Sequence, residues 1–121
     1  NILYGGWDTV ILQHRAHPMG DVALLEKALD DILVWVREAG SRAMLFQTWT
    51  RQGEEDAQKD MSRVYRQLGE KHNIPVIPVG DRWQAYRREH PDAAFYRSDG
   101  SHAAPAGSQL AAQVIAEALC P

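Results

Sequence analysis

Two hydrophobic rhythms alternate along this chain. Thr9-Val10-Ile11-Leu12, Ala43-Met44-Leu45-Phe46 and Val76-Ile77-Pro78-Val79 are short, nearly continuous apolar runs, the pattern of strands buried on both faces. Between the first two, Val22, Leu25, Leu29, Ile32 and Val36 recur at steps of three and four. That spacing predicts a helix from about Asp21 to Ala39, with Gly40 suited to its left-handed end. Between the second and third runs, Glu54-Glu55-Asp56 suits the positive end of a helix dipole. Met61, Val64, Tyr65 and Leu68 then form an apolar stripe that ends near His72-Asn73. After the third run, Asp81 is a candidate cap for a short helix carrying Trp83 and Tyr86, and His90-Pro91 ends it. A last helix starts near Pro105 and presents Leu110, Ala111, Val114, Ile115 and Ala118 on one side. Strand and helix alternate with crossovers long enough for parallel pairing, which predicts a layered α/β fold with right-handed connections.

Composition narrows the partners. With 121 residues and 45% hydrophobic content, the chain has the size of one domain with one core. A formal charge of -3, with basic and acidic residues interleaved and no basic stripe, argues against nucleic acid and for a small neutral or apolar partner. Apolar runs are far shorter than the ~20 residues that span a bilayer, so no membrane span is expected. Cys120 is the single cysteine, which leaves no disulfide and no thiolate metal site within the chain. The chain begins with Asn1 rather than Met and shows no signal-like segment, so the expectation is that something upstream has been removed or left out.

Ligands of open α/β sheets sit outside the carboxyl ends of the strands. There the sequence turns polar: Gln13-His14-Arg15-Ala16-His17-Pro18 follows the first strand and Gln47-Thr48-Trp49-Thr50-Arg51 the second. His14 and His17 lack a nearby carboxylate or thiolate and make a poor metal site. The third candidate is Asp99-Gly100-Ser101-His102. A carboxylate that accepts the Nδ1 proton of an imidazole fixes its tautomer and stabilises the imidazolium, as a general base requires. Gly100 supplies a backbone free to take positive φ, and Pro105 with Gly107 starts a helix able to pack beneath the loop. From spacing alone, a turn cluster with a surface histidine and an orienter–base pair both remain open.

Tyr96-Arg97-Ser98-Asp99-Gly100-Ser101-His102, followed by Pro105-Ala106-Gly107 and an alanine-rich helix, resembles the C-terminal block of the GDSL/SGNH hydrolases. Trp7-Asp8-Thr9-Val10-Ile11-Leu12-Gln13 resembles the strand leading into the oxyanion loop of one branch of that family. Thr48-Trp49 and Pro78-Val79-Gly80-Asp81-Arg82-Trp83 resemble its later strand ends. The resemblance implies a three-layer α/β/α, flavodoxin-like fold with a parallel sheet, and a serine esterase acting on a small acyl ester such as an acetylated carbohydrate. It makes Asp99 and His102 the orienter and base of a Ser-His-Asp triad, and it implies no cofactor.

The departures from the family pattern are specific. No Gly-Asp-Ser nucleophile block occurs in these residues, the glycine donor of the second block is missing, and Ala103 stands where a proline is usual. Where an asparagine donor is expected the loop offers Gln13, with a carboxamide, and Arg15, with a charge. Trp49 and Tyr96 are candidate pocket walls. The reading that follows is a chain of 121 residues forming the C-terminal part of such a hydrolase, its serine contributed by an upstream segment. The buried character of Val10-Ile11-Leu12 further implies that this segment, or a second copy, covers the first strand. A non-catalytic binding module on the same fold is the alternative. A flavodoxin-like mononucleotide binder fits the alternation but lacks a Gly-rich phosphate loop.

Overall fold

In the computed structural model, which describes residues 2–14 and 20–120, the apolar runs lie side by side as a parallel sheet. Its order is β1 (Thr9–Gln13), β2 (Arg42–Phe46), β3 (Val76–Ile77). β1 pairs with β2 from Thr9 opposite Arg42 to Gln13 opposite Phe46, and β3 sets Val76 and Ile77 against Leu45 and Phe46. Successive side chains of β2 point to opposite faces, so each face builds its own core. Ala43 and Leu45 pack with Leu29, Leu33 and Val36 of α1 (Val22–Glu38) and with Met61, Tyr65 and Leu68 of α2 (Gln58–His72). On the other face Met44 and Ile77 meet Val79, the first residue of α3 (Val79–Glu89), and Ala111 and Val114 of α4 (Pro105–Leu119). This is the expected α/β/α layering.

The helix ends follow local chemistry. Asp21 caps α1 by accepting the backbone N–H of Ala23 at 2.9 Å, and Gly40 just past its end takes φ +74°. α2 ends on Asn73 in the left-handed conformation. Its acidic start is offset: Glu55–Ala57 form a 3₁₀ turn and the α-helix begins only at Gln58. The third strand is shorter than its apolar run, because Pro78 has no N–H to give a ladder and Val79 already opens α3. Asp81 is not the cap of that helix. It lies in the first turn, where its carboxylate accepts from the Ser62 hydroxyl at 2.6 Å and the Gln47 amide at 3.2 Å.

Close approach of β2 to α3 depends on Gly80, whose N–H donates to Gln47 O at 2.9 Å and where a Cβ would collide with the Thr48 carbonyl. Gly107 does the same for α4, leaving room for the ring of Trp83. No described helix is long and apolar enough to cross a membrane.

Candidate active site

Residues 95–104 form a miniature hairpin at the head of α4. Tyr96 and Ala103 make an antiparallel bridge, Arg97 donates its N–H to His102 O at 2.8 Å, and Ala104 donates to Phe95 O at 2.8 Å. The tip is the Asp99-His102 turn, closed by Gly100 at φ +67°. One oxygen of Asp99 accepts the backbone N–H groups of Ser101 at 2.9 Å and His102 at 3.0 Å; the other bonds His102 Nδ1. An ionised carboxylate only accepts, so this bond selects the Nδ1–H tautomer and leaves Nε2 on the far edge of the ring as a free acceptor. The His102 side chain is 78% exposed and that of Asp99 46%. The His102 ring bond, aided by the two backbone donors, holds the Asp99 carboxyl well below the usual carboxylate range.

Beneath the hairpin lies a buried polar lattice that the sequence did not reveal. Gln58 of α2 donates to Thr48 O at 3.1 Å and to the Ser62 hydroxyl at 3.1 Å, while its own oxygen accepts from Thr50 N at 3.0 Å. Gln84 of α3 donates to the Thr50 hydroxyl at 3.3 Å. Tyr96 donates its hydroxyl to Thr50 O at 2.8 Å. Gln47, Thr48, Thr50, Gln58, Ser62 and Gln84 are all buried, and buried polar side chains are kept only where partners satisfy them. The signal available in the sequence was the abrupt change from Leu45-Phe46 to Gln47-Thr48; the partners of that stretch are distant in the chain.

The lattice is tied to the surface by Glu55, which accepts from Arg87 at 2.8 Å and from Gly53 N–H at 3.0 Å. Arg87, and then Gly53, pull the Glu55 carboxyl down to about 2. A depressed folded-state value gives stability that is present above the unfolded carboxylate value of about 4.3 and is lost as pH falls towards 2. Glu55 is two-fifths exposed, and screening limits its contribution to about 1 kcal/mol. Glu55→Gln is therefore expected to lower the melting temperature at pH 7, with the gap from the parent closing as pH drops from about 4.5 to 2. A gap independent of pH would contradict this role of the ion pair.

Of the other sequence-derived candidates, Trp49 and Tyr96 are brought to the dyad hairpin. Trp49 donates its indole N–H to Ser101 O at 2.9 Å, and the Tyr96 ring carries the Arg87 guanidinium 4.8 Å from its centre. Gln13 ends β1 at the same end of the sheet, opposite Phe46. The next residue, His14, is held through its backbone: Tyr65 donates its hydroxyl to His14 O at 3.2 Å and accepts from His14 N at 3.3 Å. Arg15 and His17 lie outside the described residues. Among the described residues no group of three or more His, Cys, Asp or Glu could hold a metal ion.

No family model and no curated protein matches this sequence. Solved structures do. A protein of Slackia heliotrinireducens, provisionally assigned as an SGNH hydrolase, superposes with a TM-score of 0.77 at 24% identity, over 93% of this chain and 66% of its own. The lipase/acylhydrolase of Enterococcus faecalis superposes with a TM-score of 0.69 at 19% identity, over 93% of this chain and 60% of its own. The fold is that of the SGNH hydrolases. At these identities the likeness speaks for architecture, and the chain spans less than two thirds of each structure's length. Within the SGNH architecture the Asp99–His102 hairpin follows the third helix and leads into the last one, at the carboxyl end of the sheet, where β2 delivers Trp49.

Proposed function

We propose that, in the complete protein, this chain supplies the base and its orienter for a serine esterase acting on small acyl esters, acetylated carbohydrates among them. One observation carries the reading: Asp99 bonds His102 Nδ1 on a hairpin at the carboxyl end of a parallel sheet of SGNH architecture. In the proposed reaction a serine hydroxyl from polypeptide outside these residues attacks the acyl carbon while His102 Nε2 takes its proton. The imidazolium, stabilised by the Asp99 carboxylate, gives that proton to the departing alkoxide as the ester C–O bond breaks, leaving an acyl-serine and the alcohol. Water, deprotonated by the same nitrogen, attacks the acyl-serine; the proton returns to the serine oxygen and a carboxylic acid leaves.

Gln13 and Arg15, after β1, are the proposed stabilisers of the oxyanion. Tyr96 forms the proposed wall below the base. The flank of β1 supports the placing of the further polypeptide, or of a second copy, beside this chain. Ile11 is 38% exposed although it sits in register with Met44, which is 4% exposed. An apolar residue on a sheet face gains from being covered.

Steady-state hydrolysis of short-chain aryl esters and acetylated sugars by the complete protein tests the proposal. Saturable turnover of at least one of them is expected. A folded complete protein that turns over none of these esters would instead favour a non-catalytic module on this fold.

A further inference from the structure

The dyad poses a mechanical problem. Burial does not immobilise His102, whose side chain is 78% exposed, or Asp99, at 46%. An exposed carboxylate–imidazole contact alone holds geometry weakly, because water competes for both partners. A base nevertheless has to present one nitrogen in one place, since small misplacements of reacting groups are costly in rate.

The hairpin tip solves this through its peptide planes. The plane joining Gly100 to Ser101 is held at both ends: Gln52 N–H donates to Gly100 O at 2.9 Å, and Ser101 N–H donates to Asp99 at 2.9 Å. The plane joining Ser101 to His102 is held likewise, with Trp49 Nε1–H donating to Ser101 O at 2.9 Å and His102 N–H donating to Asp99 at 3.0 Å. Two successive peptides are thus clamped between the loop after β2 and the Asp99 carboxylate. A donor on each carbonyl also polarises the amide and strengthens its N–H as a donor to the carboxylate.

Of the two donors from the β2 loop, Trp49 is the side chain, and it has little freedom to swing. Its ring lies flat on Trp83, with centroids 4.1 Å apart and planes within 2°. Trp83 is fully buried, flanked by Phe95 at 4.8 Å and Tyr96 at 5.3 Å, with Gly107 leaving no room for a methyl group against it. Phe46 meets Trp49 in a T-shaped contact with ring centroids 6.4 Å apart, and the next residue is fixed through Thr50 N and O by Gln58 and Tyr96. The indole N–H is a fixed point attached to the sheet.

We propose that Trp49 is a positioning residue: through the Ser101 carbonyl it fixes the Asp99 turn and thereby the orientation and tautomer of the His102 imidazole. The proposal rests on the reading of His102 as the base, and it gives Trp49 a role distinct from that of a substrate wall.

The test uses the complete protein with two replacements, Trp49→Phe and the benzothiophene isostere of tryptophan at the same position. The isostere keeps the stacked shape and removes only the N–H, so it remains informative if the phenylalanine variant folds poorly. Nitrogen-15 shifts of the His102 ring report the tautomer directly, and ester kinetics report its use. Both variants are expected to move the neutral ring from the Nδ1–H form towards a mixture, and to lower kcat about 10-fold with KM unchanged. Ring shifts identical to the parent's would overturn the proposal. A raised KM with unchanged kcat would also overturn it and return Trp49 to the substrate wall. Unimpaired turnover by His102→Ala, with the tautomer still responding to Trp49, would overturn the catalytic reading alone.

Discussion

His102→Ala in the complete protein is expected to abolish acyl-ester turnover, with kcat falling by a factor on the order of 10⁴ or more, while the fold persists. The size of the loss follows from the proposed role. A base that also serves as the acid acts in both halves of the reaction, and removing one member of a nucleophile–base unit costs about as much as removing the unit. The fold should survive because the backbone ladder of the hairpin does not depend on the imidazole. The bonds from Arg97 N to His102 O and from His102 N to the Asp99 carboxylate use only backbone atoms of residue 102, which alanine keeps, and substitutions of exposed side chains commonly change stability by less than about 0.5 kcal/mol. Kinetics and thermal unfolding on the same preparation separate the two effects. Turnover equal to the parent's would reduce the cluster to a surface turn.

Asp99→Asn is expected to retain the hairpin and lose most of the rate, approaching the ~10⁴-fold loss of the serine-protease analogue of this change. The carboxamide still has one oxygen to accept from Ser101 N and His102 N, so the turn can close. Its other atom is now a donor, which favours the opposite imidazole tautomer and offers no charge to the imidazolium. The effect should be the same across the working pH range. His102, and after it the two backbone N–H groups, hold the Asp99 carboxyl well below its usual range, so the parent carboxylate is ionised throughout and any benefit it brings is lost only in strong acid. A rate loss in the asparagine variant confined to acidic pH would contradict this.

How much of this was legible in the sequence depends on how local each cause is. α1 was readable at both ends because its stop signals lie within a few residues: the Asp21 carboxylate caps the first turn, and Gly40 supplies the left-handed residue. The second strand was readable because Ala43-Met44-Leu45-Phe46 is apolar on both faces, but composition pointed to one core where the two faces build two separate clusters. The reading of Asp81 as a cap failed because its partners, Gln47 and Ser62, are 34 and 19 residues away, and nothing local distinguishes a capping carboxylate from one that bonds to buried side chains. Gln58 and Gln84 went unnoticed for the same reason, since polar residues on amphipathic helices read as solvent-facing. The dyad lay between these cases. Its three-residue spacing and Gly100 were visible, and the resemblance of the block suggested its chemistry. The Trp49 bond that holds the turn is tertiary, spanning 52 residues.

The central claim is that these residues provide base and orienter to a serine that is not among them. Fluorophosphonate labelling of the complete protein, with the modified residue identified by peptide mass spectrometry, tests it most directly. The serines of this chain are Ser41, Ser62, Ser98, Ser101 and Ser108, and none has the strand-to-helix setting of an activated nucleophile. The account predicts one stoichiometric adduct on a serine outside this set, and loss of that adduct in the His102→Ala protein. An adduct on Ser98, Ser101 or any other serine of the set, or labelling indifferent to His102, would contradict it.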